Sequence, residues 1–207
     1  MKKLVPKGFT LLELLVVMAL AGITLTWAIP RFSRQMNQAA VEEYKQQYIS
    51  GLYSLRARQG TDGTSCDIAF NSSFNYNTGG TFGSPEEILE LSKLTTLQRN
   101  SRLHCCDDDA NCWSNKAYSY WDKPYRYLVL EGTPASKKVE IAVSSSTYSL
   151  SPPGTSSTQK PLTLLFRSTS WDMDPTRPLP ILCVELSSTG VIKSGQWEIV
   201  SEECNRV

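Results

Sequence analysis

Residues 9–30 read FTLLELLVVMALAGITLTWAIP, an apolar run that contains one acidic residue, Glu13. The residues before it read MKKLVPKG and include Lys2, Lys3 and Lys7. An apolar stretch of about 20 residues is long enough to cross a bilayer as a helix. A carboxylate inside such a stretch costs roughly 2.5–3.5 kcal/mol on insertion scales, so we expect Glu13 to have a function and a charged partner.

The junction between the basic leader and the apolar run carries a family resemblance. Residues 8–23, GFTLLELLVVMALAGI, resemble the class III signal and first helix of type IV pilins and pseudopilins. In that family a prepilin peptidase cuts after the glycine and methylates the new amino terminus. The resemblance therefore implies cleavage between Gly8 and Phe9 and N-methylation of Phe9. It also implies subunit assembly through Glu13, whose partner would be the Phe9 amine of a neighbouring subunit. An ammonium that meets a carboxylate in a low dielectric neutralises two charges that are each costly alone.

Two other kinds of N-terminal segment fit the sequence less well. A secretory signal peptide is cut after its apolar stretch, near small residues, whereas Gly8 precedes the stretch and no clear A-x-A site follows it. An ordinary membrane anchor has no need of Glu13. The lysines favour a cytoplasmic leader with the remainder facing outward. We expect a single-pass precursor in the inner membrane, with its globular domain periplasmic or extracellular, that enters a pilus or pseudopilus.

Four segments are predicted along the chain. Residues 1–8 form the cleaved leader, and residues 9–30 form the transmembrane half of a long helix, in which Pro30 is expected to produce a kink. Residues 31–58 form its amphipathic half, and residues 59–207 form a globular domain that contains disulfides and a β-sheet. In the amphipathic half an apolar residue recurs every fourth position, and that face must be covered; its members are Phe32, Met36, Ala40, Tyr44, Tyr48 and Leu52.

The remaining pattern predicts an α+β fold, with the long helix packed on a C-terminal antiparallel sheet as in pilins. Ser84, Pro85 and Glu87 form a helix start with a capping box, and we expect that second helix to reach about residue 100. Residues 144–161 are rich in Ser, Thr and Pro and are predicted to be an exposed loop. Strands are predicted at 67–70, 126–130, 138–143, 162–167, 181–186 and 195–200.

Six cysteines follow the apolar run: Cys66, Cys105, Cys106, Cys112, Cys183 and Cys204. In an oxidising compartment paired cysteines become disulfides, and six allow 15 pairings that the sequence cannot choose among. Cys105 and Cys106 are adjacent, so we expect them to reach different partners. The working interpretation joins one of them to Cys112 and the other to Cys66 or Cys204.

Charge argues against a global nucleic-acid-binding surface. The chain has 21 basic and 20 acidic residues. Three of the basic residues lie in the leader and Glu13 is one of the acidic residues, so the chain after the apolar run has 18 basic and 19 acidic residues. Some members of one pilin branch bind DNA through a basic C-terminal turn and tail. Here the turn offers Lys193 and the tail offers Arg206 beside Glu202 and Glu203. Phosphate binding needs several cations together, so nucleic acid is an open but disfavoured partner.

The C-terminal part of the chain carries a second resemblance, which concerns the subgroup of the pilin family. Residues 181–193, ILCVELSSTGVIK, are similar to the strand–turn–strand ending of the GspH/FimT group of minor pilins and pseudopilins, with Gly190 in the turn. Residues 52–58 fit the helix end of the same group. Residues 120–127, YWDKPYRY, instead resemble a motif of major pseudopilins, which leaves the subgroup open.

Two groups of residues contain possible metal ligands, and each group also has a simpler interpretation. His104 with Cys105, Cys106 and Cys112 has ligands suited to zinc, but oxidation of the cysteines favours disulfides. Asp107, Asp109 and Asn111 recur at alternate positions as in a calcium loop, but the expected glycine and glutamate are missing, which favours a solvated acidic turn.

No catalytic motif was found, and we expect a structural protein without a cofactor rather than an enzyme. The predicted function is a minor pilin or pseudopilin. Its expected partners are other pilins through the N-terminal helix, a prepilin peptidase and the assembly machinery of the inner membrane. The alternatives are a pseudopilin of a type II secretion machine and a tip pilin that binds DNA or a surface polymer.

Overall fold

The computed structural model describes residues 10–62, 65–95, 98, 102–103, 105, 128, 135–152, 154–156, 158, 160–171 and 178–206. The chain divides into two compact units, Met1–Met36 and Asn37–Val207.

A single helix, α1, spans Leu11–Asp62 and contains Pro30. It continues beyond residue 58, where we expected it to end, because Gly60 keeps a helical backbone and does not adopt the left-handed conformation that closes helices. Tyr44, Tyr48 and Leu52 of the predicted apolar face are buried. Phe32 and Met36 of the same face are exposed in the single chain.

Seven strands follow in the described part of the chain: β1 (Cys66–Ala69), β2 (Val139–Val143), β3 (Thr147–Leu150), β4 (Leu162–Ser168), β5 (Leu182–Leu186), β6 (Ile192–Glu198) and β7 (Glu203–Asn205). Five of them form one sheet in the order β2-β4-β5-β6-β7, and β1 pairs with β3 in a second sheet. Every one of these pairs is antiparallel. A long N-terminal helix followed by antiparallel sheets confirms the predicted α+β layout of the pilin fold.

The core lies between α1 and the inner face of the large sheet. Leu162, Leu164 and Phe166 alternate along β4 on the face that meets the core and are fully buried. Thr163 and Leu165 on the other face are buried as well, so both faces of this strand are covered. The rings of Tyr44 and Tyr48 lie 6.0 and 5.5 Å from the ring of Phe166. Because these contacts join α1 to a central strand, burial of the aromatic residues fixes the helix face that the sheet covers.

The outer face of the large sheet is covered by the segment that precedes α2. A small apolar cluster of Ala142, Leu165 and Cys183 is buried there beneath Tyr76, Phe82, Ile181, Trp197 and Cys204. Tyr76 and Trp197 bring their rings to 5.6 Å of each other. Residues 71–83 therefore cover the outer face of the large sheet, although their composition is polar. This segment contains two single 3₁₀ turns.

The second helix begins as predicted and ends early. α2 spans Pro85–Ile88 and has the capping box in which Ser84 and Glu87 bond reciprocally. Its expected extension to residue 100 is wrong, because Glu90 has a left-handed backbone with φ of 53° and a 3₁₀ turn, Leu91–Lys93, follows. The capping motif starts the helix, but the residues that follow do not continue it beyond Ile88.

The exposed loop predicted for residues 144–161 is wrong. β3 lies inside it, and Tyr148 and Leu150 are buried between the more polar Thr147 and Ser149. Buried apolar residues alternate with more exposed polar residues, as in a strand. The loop was predicted because Ser and Thr are abundant in this segment. β6 begins and ends earlier than the predicted strand at 195–200, and β7 was not predicted at all. The predicted strand at 126–130 lies outside the described residues except for Leu128, which is buried.

Candidate functional site

The first turn of α1 is closed by a reciprocal pair of side chains. The Thr10 amide and the Thr10 hydroxyl both donate to Oε2 of Glu13 at 2.9 Å, and the Glu13 amide donates to the Thr10 hydroxyl at 3.2 Å. This is a capping box, which satisfies amides at a helix start that have no partner within the helix. The carboxylate also lies at the positive end of the helix dipole. Glu13 therefore has a local partner in the single chain.

Thr10 is the partner of Glu13 in this capping box, and the sequence interpretation missed it. The pattern Thr10-Leu11-Leu12-Glu13 has the same spacing that identified Ser84 and Glu87, so the signal was present in the sequence. This spacing was not used, because the acidic residue in the apolar run was interpreted only through a partner in another subunit. The Oε1 atom of Glu13 accepts no hydrogen bond in the described part of the chain, which leaves one oxygen for such a partner.

The apolar segment that follows presents its side chains outward. The large apolar side chains that the structure describes between Leu11 and Ile29 are exposed, Leu11 by 81%. α1 is long and apolar enough to cross a membrane by length and composition. Unlike the second half of the helix, this segment is covered by no other described residue of its own unit, so it needs a covering surface from its surroundings.

The hydroxyl groups of this segment are satisfied within the helix. Thr24 donates to the carbonyl of Ala21 at 2.9 Å, and Thr26 donates to the carbonyl of Ile23 at 2.7 Å. Such bonds to the preceding turn are the usual solution for a hydroxyl in an apolar medium. Pro30 has no amide hydrogen, so it cannot donate to the carbonyl of Thr26, four residues earlier.

Two disulfides join described residues of the domain that begins at Asn37. Cys66 at the start of β1 is bonded to Cys105, and Cys183 of β5 is bonded to Cys204 of β7. The Cys66–Cys105 bond is one of the pairings in the working interpretation, whereas the Cys183–Cys204 bond is not, because that interpretation considered Cys204 only as a partner of Cys105 or Cys106. Cys183 and Cys204 flank β6 in the sheet order, so the bond encloses the strand between them.

The turn between β5 and β6 is not a cationic surface. Residues 187–191 form a tight turn in which Gly190 has a φ of 81°. Lys193 lies 3.5 Å from Oε1 of Glu185 on the neighbouring strand, so its charge is partnered. The guanidinium of Arg56 from α1 packs against Gly154 and Gly190, where any side chain would collide with it. The turn therefore contacts α1 through Arg56, and with Lys193 paired it does not gather the several cations that phosphate binding needs.

Several candidate site residues predicted from the sequence lie outside the described residues. They are Gly8 and Phe9 at the cleavage point, Cys106 and Cys112, and the metal candidates His104, Asp107, Asp109 and Asn111. In the part of the chain that the structure describes, no three His, Cys, Asp or Glu side chains are grouped so that they could hold a metal ion.

Comparison with known proteins adds one finding. Residues 6–29 match the family model of the prokaryotic N-terminal methylation motif. Neither a curated protein nor a solved structure matches the chain. The matched stretch contains the Gly8-Phe9 junction, the Thr10–Glu13 capping box and the exposed apolar segment, and it supports a type IV pilin-like structural subunit.

Proposed function

We propose that this chain is a minor pilin or pseudopilin, a subunit that enters or primes a type IV pilus-like filament after cleavage between Gly8 and Phe9. The observation that carries the proposal is the methylation motif at residues 6–29 on a helix whose described large apolar side chains between Leu11 and Ile29 are exposed. Before cleavage the leader stays in the cytoplasm and lipid covers the apolar segment. After cleavage the helices of neighbouring subunits replace the lipid.

The physical basis of assembly is the surface that the single chain leaves uncovered. Packing of apolar side chains against neighbouring helices restores the dispersion contacts that lipid supplied. Helices that share a filament axis cover one another along their whole length, whereas the domain that begins at Asn37 keeps its own core. The helix is therefore the polymerising element and the disulfide-bonded domain is the outward-facing one.

Glu13 directs this packing through its charge. Cleavage creates an ammonium at Phe9, and methylation leaves that amine basic. The attraction between an ammonium from a neighbouring subunit and Oε1 of Glu13 offsets the desolvation penalty of both charges, while Oε2 continues to cap the helix through Thr10. The role of the capping box is to hold the carboxylate at the helix start, where the incoming amine can reach it.

The experiment separates the charge of Glu13 from its capping role. The full chain is produced with a prepilin peptidase, and the mature protein is measured by mass spectrometry and by its fraction in sheared filaments. We expect a mature N-terminus at methylated Phe9. Glu13→Gln retains an acceptor for Thr10 but loses the charge, so it should be cleaved normally and be incorporated at least about tenfold less.

Thr10→Val is the matched control, because it weakens the cap and keeps the charge. A helix cap contributes about 1 kcal/mol, so this variant should lose far less incorporation than Glu13→Gln. Normal incorporation of Glu13→Gln would contradict the pairing. A mature protein that begins at any residue other than Phe9 would contradict the proposal as a whole.

The filament system is resolved by deletion of the gene in its own host. A subunit of a surface pilus lowers piliation, and a pseudopilin of a type II secretion machine lowers protein export. Loss of transformation with normal pili would indicate a tip subunit that binds DNA. The Lys193–Glu185 ion pair and the glutamates at 202 and 203 weigh against that last role.

A further inference from the structure

The segment that covers the outer face of the large sheet begins with a short modification motif. Asn71-Ser72-Ser73 has the spacing N-x-S/T, which is the acceptor motif of N-linked glycosylation in exported proteins. No other asparagine of the chain has Ser or Thr two positions later. Three residues are a short signal, so the placement of Asn71 in the fold decides whether the motif can be used.

The structure places the motif at the surface, just after the end of β1. Ser72 and Ser73 are exposed, and Asn71 is half-buried. The backbone amide of Ser73 donates to Oδ1 of Asn71 at 3.0 Å, which fixes the orientation of the side-chain amide. Within the described ranges of the chain, Nδ2 of Asn71 donates to no group and the Ser73 hydroxyl has no hydrogen-bond partner. The nitrogen that accepts a sugar and the hydroxyl that the motif requires are therefore both available.

A second turn in the same segment has the geometry without the motif. Oδ1 of Asn75 accepts a hydrogen bond from the amide of Asn77 at 3.0 Å, the same contact as in the Asn71 turn. Residue 77 offers no hydroxyl, and its side-chain amide donates to the carbonyl of Ser144 at 2.8 Å. The two turns share a backbone arrangement, so the hydroxyl of Ser73 is what distinguishes Asn71 as an acceptor.

We propose that Asn71 is a site of N-linked glycosylation, and that the donor is an oligosaccharide carried by a polyprenyl diphosphate. The proposal rests on the proposed function, because the domain that begins at Asn37 must face the compartment in which a membrane-bound transferase works. Ala69 lies two residues before Asn71, so the transferase is one that needs no acidic residue at that position.

The transfer is a substitution at the first carbon of the sugar. Nδ2 of Asn71 bonds to C1 and gives up one proton to a base of the transferase. The bond between C1 and the diphosphate oxygen breaks, and the polyprenyl diphosphate leaves with that electron pair. The product carries a bulky polar group on the segment over the large sheet, where it remains in solvent.

The test is a peptide map of the full chain purified from the membranes and filaments of its own host. After reduction and digestion with trypsin, electron-transfer fragmentation assigns the added mass to a residue. We expect an oligosaccharide on Asn71. We expect none on Asn75, which lies in the same tryptic peptide and serves as an internal control. An unmodified Asn71 would overturn the proposal.

Two variants of Ser73 test the role of the hydroxyl. Ser73→Ala keeps the backbone amide that bonds to Asn71 and removes the hydroxyl, so the modification should be lost. Ser73→Thr is the matched control, because it keeps the hydroxyl and should keep the modification. Ser73 is exposed, and an intact Cys66–Cys105 bond in an unreduced sample checks that each variant is folded. Modification that persists in Ser73→Ala would overturn the assignment to this motif.

The same peptide map also identifies the N-terminal residue. An unmodified Asn71 in a chain that begins at methylated Phe9 would overturn the glycosylation and leave the proposed function standing. A glycosylated Asn71 in a chain that begins at another residue would overturn the proposed function and leave the glycosylation standing.

Discussion

The backbone oxygen of Asn205 occupies the space in which a side chain on Gly195 would begin. Gly195 lies opposite Cys183 in the β5–β6 pair, and Cys183 is bonded to Cys204, the residue before Asn205. The close approach of β7 and the disulfide that encloses β6 therefore depend on the same missing side chain.

Gly195→Ala is predicted to destabilise the domain that begins at Asn37 by about 1–3 kcal/mol, because the added methyl group must displace the backbone of β7. The free energy of unfolding of the full chain in detergent measures the effect, and alkylation of free thiols shows whether Cys204 still reaches Cys183. Gly60→Ala is the control, since open space surrounds that position and alanine favours a helix. The control should be neutral or stabilising, and equal stability of the two variants would contradict the prediction.

Replacement of both Cys183 and Cys204 by Ala is predicted to lower the free energy of unfolding by about 3 kcal/mol. The bond closes a loop with a sequence separation of 21 residues, against 39 for Cys66–Cys105. Chain entropy then makes the loss of the longer loop larger by about 0.5 kcal/mol. Denaturant unfolding of the two double variants tests this order, and a larger loss for the shorter loop would contradict the entropic explanation.

Stability is predicted to fall in acid partly through Glu87. The Ser84 amide and then the Ser84 hydroxyl, which both donate to its carboxylate, lower the pKa of Glu87 from 4.5. Because the folded pKa lies below the unfolded one, the contribution is complete above about pH 4.5 and is lost as the pH falls through the lowered value. Glu87→Gln keeps an acceptor for the cap and should show a smaller loss of stability between pH 6 and pH 3, by thermal unfolding. An unchanged pH dependence would show that Glu87 does not contribute.

Tyr148→Phe is predicted to cost about 1 kcal/mol without an effect on cleavage. The hydroxyl of this buried residue donates to the carbonyls of Leu186 at 3.3 Å and Ser187 at 3.0 Å, which ties β3 to the turn after β5. Tyr53→Phe is the matched control because Tyr53 is exposed. Denaturant unfolding compares the two variants, and equal stability would mean that the two carbonyls find other donors.

Features with a local cause were predictable from the sequence. The apolar face of α1 from Tyr44 to Leu52 followed from its spacing, and the apolar strands β4 and β5 stood out as runs that only a core can accept. The capping box at Ser84 and Glu87 was also visible, because all of its groups lie within four residues.

Features that depend on distant partners were not predictable. β3 is stable because β1 pairs with it and because Tyr148 reaches the turn after β5, so its polar composition was misleading. The Cys183–Cys204 bond depends on a sheet order in which β6 lies between β5 and β7. The Thr10–Glu13 pair is a different case, because its cause is local and its pattern was present but unused.

The hydroxyls of Thr24 and Thr26 make their bonds inside their own helix. Under the proposed function, neither of them has to change partner when the lipid around this stretch is exchanged for side chains of other subunits. The free-energy difference between those two surroundings then comes from contacts among apolar groups, and no hydrogen bond of these hydroxyls opposes the exchange in either direction.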